Sequence, residues 1–234
     1  MTTSTATANR RPVIRASLAV GAATGAYGVA FGAAGTAAGL SVWQSCALSL
    51  LMFTGGSQFA LVGVIAAAGP AAGLTSGVAS ALLLGARNAM YGVRLAGLLR
   101  LGGPRRLLAA HLVIDESTAV AVAQPEPALS RLGFWVTGGA VFVLWNAMTL
   151  VGAAGASVLG NPQTFGLDAA APAAFLGLLA PRLRAGWTER LIAIGGALVA
   201  LATTPLLPPG VPVLLSALVI LPVLLRHRPA KDPT

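Results

Sequence analysis

Arg87 ends a stretch of 71 residues, Ala16 to Ala86, that contains no Lys, Arg, Asp, Glu or His. An arginine deep in a lipid-spanning helix costs roughly 2.5–3.5 kcal/mol on insertion scales, and it is retained where it faces a partner or a wet cavity. Arg100 follows only 13 positions later, which is roughly 20 Å of helix and beyond the reach of a snorkelling side chain. Arg87, Tyr91 and Arg94 are spaced by four and three, so one helical face carries all three and is expected to point inward. Two chemistries fit the guanidinium: a structural ion pair with an acid, or direct binding of an anionic group. Asn88 lies beside it.

Acids are scarce, and the nearest in sequence are Asp115 and Glu116, within His111-Leu112-Val113-Ile114-Asp115-Glu116-Ser117. Adjacent helical positions point about 100° apart, so the two carboxylates meet different environments. One can pair with Arg87 while the other exchanges a proton. The plainer alternative is a solvated loop ending in an Asp-Glu helix cap.

Thr54-Gly55-Gly56-Ser57-Gln58 is the third polar constellation. Paired glycines are poor helix formers, and a helix broken there exposes N–H groups and a positive dipole end, the device by which several transporters hold a substrate carboxylate. Gln58 adds an amide at the same depth. The alternative is a kinked helix whose Ser57 and Gln58 bond to neighbouring helices. Asn146 is a further apolar-segment polar residue, suited to an interhelical hydrogen bond or to the solute, and Asp168 suits a helix start.

These groups need helices to hold them in lipid. A crossing takes roughly 20 apolar residues, so the uncharged run alone provides about three. With 56% hydrophobic and 9% charged residues, the 234-residue chain reads as an all-α, polytopic transmembrane bundle of about six to eight helices. Residues 1–15 read as a disordered cytoplasmic tail, 16–225 as one transport-sized membrane domain and 226–234 as a polar tail. Apolar segments run at about 16–40, 42–69, 73–99, 132–158, 166–181, 189–206 and 211–225. His111 to Gln124 is too short to cross alone.

Basic clusters fall at Arg10/Arg11/Arg15, Arg100/Arg105/Arg106, Arg182/Arg184/Arg190 and Arg226/Arg228/Lys231. Such clusters mark cytoplasmic loops, and this explains the net charge of +9 without nucleic acid. An even number of crossings separates the later clusters, but three apolar segments separate the first two. Either one of the three is a broken, re-entrant helix, with 42–69 the natural suspect, or the Arg100 cluster faces outward.

Gly21, Gly25, Gly28, Gly32, Gly35 and Gly39 are spaced alternately by four and three, a stripe on which a second helix can pack closely. It places the first helix centrally. Cys46 is a lone apolar filler, no Cys/His cluster has metal-site spacing, and no metal or cofactor is expected. An intramembrane serine hydrolase would need Ser57 or Ser117 beside a base, and within the apolar region only His111 offers an imidazole.

Four motifs occur in order: Gly28-Val29-Ala30-Phe31-Gly32, Phe53-Thr54-Gly55-Gly56-Ser57-Gln58-Phe59-Ala60, Arg87-Asn88-Ala89-Met90-Tyr91-Gly92 and Asp115-Glu116-Ser117. In this set residues 16–225 resemble the AzlC family, the large subunits of two-component branched-chain amino-acid exporters. The resemblance implies multi-pass residence in the cell membrane and efflux of valine, leucine, isoleucine and related apolar amino acids. It also implies coupling to the proton gradient and a small membrane partner of the AzlD type. Members commonly carry Arg-His at the third motif, and Asn88 here removes that titratable group. Proton handling then passes to Asp115 or Glu116, with Thr54 to Gln58, Arg87, Asn88, Tyr91 and Asn146 around the substrate. A passive channel, or a transporter of another small solute, is the alternative.

Overall fold

The computed structural model describes residues 10–158, 170–208 and 210–226, and all regular structure among them is helical. Helices α1 (Arg10–Ala26) and α2 (Gly28–Ala37) join at Tyr27 into one apolar element of 28 residues. Helix therefore begins at Arg10, within the stretch expected to be a disordered tail. Pro12 sits in the first turn, where its missing N–H costs nothing.

Helix α3 (Val42–Leu51) starts with a capping box in which Ser41 and Gln44 satisfy each other's backbone N–H groups. After a break at 52–54 comes α4 (Gly55–Leu99), whose 45 residues are not a single span. Gly69 has φ 79°, open to glycine without strain, and Pro70 follows. There the chain reverses into two antiparallel arms, 55–68 and 70–99. Gly73 lies against Val64 and Gly77 against Leu61, where a Cβ would come within 2.8 Å and 2.9 Å of its neighbours.

Next come two short helices, α5 (Gly103–His111) and α6 (Asp115–Val122), and then the long α7 (Pro127–Val158). The stretch from His111 to Gln124 is thus one side of a second helical pair. Helices α8 (Ala170–Ala185) and α9 (Trp187–Thr203) follow. The described chain closes with α10 (Val211–Ser216), a 3-10 turn at Ala217–Ile220 and α11 (Leu221–Arg226). Asp168 lies outside the described residues.

Helix α7 is the hub, packing against α1, α2, α3 and α6. It runs parallel to α1 and α2, because Gly21 meets Ala140, Gly28 meets Trp145 and Met148, and Gly32 meets Thr149 and Ala153. The glycine stripe divides three ways. Gly21, Gly25, Gly28 and Gly32 face α7, Gly35 faces Ser45 of α3, and Gly39, with φ 88°, ends the helix. From the other side Gly152 presses on the Val29 carbonyl. Inside lipid, where apolar burial supplies no drive, this close backbone approach supplies the attraction.

Candidate functional site

Both breaks open onto one cavity. The 52–54 break contributes Phe53 and Thr54, the next helix Gly55 and Gly56, and the 112–114 break Ile114 followed by Asp115 and Glu116. Arg87 and Asn88 reach it from the second arm of α4, Thr24 and Tyr27 from the first helix, and Val141 and Trp145 from α7. Its volume is about 90 Å³, room for several waters or one small solute.

Arg87 and Asp115 form an ion pair at 2.8 Å, and their side chains are 37% and 44% exposed. The pair is therefore half open, unlike a sealed structural bridge. The Arg87 Nε, the Asn88 Oδ1 and the Trp145 indole N–H are buried without a protein partner. Buried polar atoms are normally satisfied, so three such atoms beside one cavity mark hydrogen-bonding capacity for a bound molecule. Thr24 donates to the Glu116 carboxylate at 3.4 Å, which gives the two acids separate partners, and Tyr91 is half-buried against the apolar core.

Two half-helices begin here. At Asp115 the chain fills the positive helix end with its own carboxylates. At Gly55 it supplies none, and the nearest cation, Arg87, has an Nη within 3.1 Å of where a Gly56 side chain would start. Glycine keeps this helix end open.

The remaining cavity wall is aromatic. Phe59 meets Phe31 edge-on at 5.6 Å and Trp145 at 6.3 Å, while Phe53 contacts His111 and Phe142 at 6.0 Å and 5.1 Å. Phe53, Phe59 and Trp145 were not among the expected site residues. Aromatic side chains abound in membrane helices, and no spacing in the sequence singles these out.

Of the expected residues, the cavity gathers Thr54, Gly55, Gly56, Arg87, Asn88, Asp115 and Glu116. Five expected residues fall elsewhere, among them Tyr91, which is not part of the cavity lining. Ser57 is buried and lines a neighbouring hollow with Leu61 and Gly85, and Arg94 is exposed. Asn146 donates to the Phe142 carbonyl of its own helix at 2.7 Å. Gln58 is fully buried, and its amide donates to the carbonyls of Met52 at 2.7 Å, Ser49 at 3.3 Å and Leu48 at 3.4 Å. It ties the broken ends together and is not aimed at a solute.

This makes a distinct prediction. Gln58→Leu should lower the unfolding midpoint of the detergent-purified protein, reflecting about 1–3 kcal/mol for unsatisfied buried carbonyls. Molecules that still fold should keep the substrate affinity of the unaltered protein.

The AzlC protein family model matches residues 19–159, the interval that contains the cavity and both breaks. No curated protein and no solved structure matches the chain. The match spans more than half of the sequence and agrees with three helices, among the described residues, long and apolar enough to cross a membrane, so the chain belongs to the AzlC family of membrane transport proteins.

Proposed function

We propose that the protein exports branched-chain and related apolar amino acids across the cell membrane, driven by protons, as the large subunit beside a small AzlD-type membrane partner. The observation that carries this reading is the meeting, in one cavity, of a glycine-lined helix N-terminus, a half-open Arg87–Asp115 pair and an aromatic wall. A zwitterion with an apolar side chain matches those three surfaces. Its carboxylate is held by N–H groups at Gly55 and Gly56 and by Arg87, and its ammonium by Asp115 or Glu116. The side chain lies against Trp145 and Phe59. The arginine clusters support a cytoplasmic N-terminus, since Lys and Arg accumulate in cytoplasmic loops.

In this scheme the substrate ammonium and a proton compete for the acids, so protonation from outside releases the substrate. Labelled valine should leave cells faster when this chain and its small partner are expressed together than with either alone. Asp115→Asn or Glu116→Gln should remove the dependence of efflux in vesicles on the proton gradient. If both variants kept that dependence, the coupling scheme would be abandoned. Flux indifferent to the gradient in the unaltered protein would favour a channel.

A further inference from the structure

Residues 42–99 and 103–158 are built to one plan. Each begins with a short helix, α3 or α5, breaks over three residues, resumes in a second short helix, and ends in a long one. Both breaks are tied alike. The Met52 carbonyl accepts from Gln58 at 2.7 Å, and the Leu112 carbonyl accepts from Ser117 at 2.7 Å, each donor lying in the first turn of the following helix.

The long helices repeat in sequence as well. Asn88-Ala89-Met90 returns as Asn146-Ala147-Met148, and at the same offset Leu74, Val78, Val93, Ala96 and Gly97 return as Leu132, Val136, Val151, Ala154 and Gly155. Exchange of the two halves even relates their mutual contacts. Arg87 of the first long helix pairs with Asp115 at the second half-helix start, and Trp145, the counterpart of Arg87, covers Gly55, the counterpart of Asp115, at 3.0 Å from its Cβ position.

The two halves point in opposite directions. Gly55 lies against Trp145, which also meets Gly28, and Phe59 lies against Phe31, so the arm 55–68 runs in the same direction as α2 and α7. The arm 70–99 therefore heads for the end where α1 begins, antiparallel to α7. Consistent with this, Gly210 lies beside Val64 and Ser76, at the opposite end of that arm. Arg10 and Arg100 consequently share one end of the bundle, and the odd number of apolar segments between the first two clusters is accounted for.

The geometry points to an inverted repeat in which 42–68 and 103–122 are re-entrant hairpins entering from opposite membrane faces, their tips at 52–54 and 112–114 forming the two gates of the central cavity. Phe53 and His111 meet where the tips approach. Non-helical backbone at this depth is tolerated because it lines a cavity, and inverted units around a shared midplane site provide alternating access. The gating half of the inference rests on the transport reading, whereas the topology does not.

Cysteine labelling tests both halves, in full-length protein with Cys46→Ser as background and a membrane-impermeant maleimide applied to intact cells or inside-out vesicles. Ser41→Cys and Ala71→Cys should label from one face only, and Arg105→Cys and Glu126→Cys from the other only. If either pair divides between faces, its segment crosses the membrane and the inverted repeat is wrong. Phe53→Cys should be reached from the Ser41 face and Val113→Cys from the Arg105 face, with valine changing the two rates in opposite senses. Access to both from one face overturns the gates. Labelling requires no flux, so correct topology in a protein that does not move valine would refute the transport reading alone.

Discussion

Arg87→Ala should reduce valine efflux roughly ten- to a hundredfold at equal protein in the membrane, the range expected when a charge-assisted hydrogen bond of about 1.5–3 kcal/mol is lost from the bound solute. The variant also leaves Asp115 without its 2.8 Å partner. Comparison with the double variant Arg87→Ala/Asp115→Asn separates the two effects. If the pair is only structural, removing both charges restores efflux, because the cost of breaking such a pair lies mainly in the charge left behind. If Arg87 holds the substrate carboxylate, the double variant recovers its folded amount but binds valine more weakly than Asp115→Asn alone. Arg87→Lys should be intermediate, since an ammonium keeps the charge but loses the planar fork.

A second large effect is expected at Gly32→Leu. A Cβ there would overlap the Thr149 carbonyl and approach the Ala153 backbone nitrogen within 2.6 Å, and backbone cannot rotate aside as a side chain can. Overpacking ordinarily costs about 1–3 kcal/mol, and a clash with two backbone atoms belongs at or above the top of that range. The variant should fail to accumulate as folded protein in membranes, as judged by a monodisperse peak on detergent size exclusion. Gly155→Leu, on α7 with nothing within 4 Å of its Cβ position, should accumulate normally. Equal behaviour of the two would show that close helix approach is not what holds the bundle.

Charge and glycine made much of the site legible in advance. Arg87 stands out because lipid tolerates few cations, Asp115 because acids able to pair with that cation are scarce, and Gly55-Gly56 because the pair opens a helix end. Gln58 and Asn146 were left between two roles for one physical reason: a polar side chain in an apolar setting can serve nearby backbone as readily as a solute. Trp145 carried no signal, since any face of an apolar helix accepts an aromatic ring, and Phe53 and Phe59 entered only as flanks of the glycine motif. The suspected re-entry of 42–69 matches the reversals at 52–54 and Gly69, but the sequence did not show how either is held. The first depends on where a glutamine amide lands and the second on one backbone torsion.

The seam along which Gly32 and Gly152 bring α2 and α7 backbone to backbone also constrains motion. Surfaces meshed so tightly cannot slide by a fraction of a residue without collision, which makes these two helices a keel and leaves displacement to the elements around it. Amide protons along the seam should exchange more slowly than those at 52–54 and 112–114, with and without substrate.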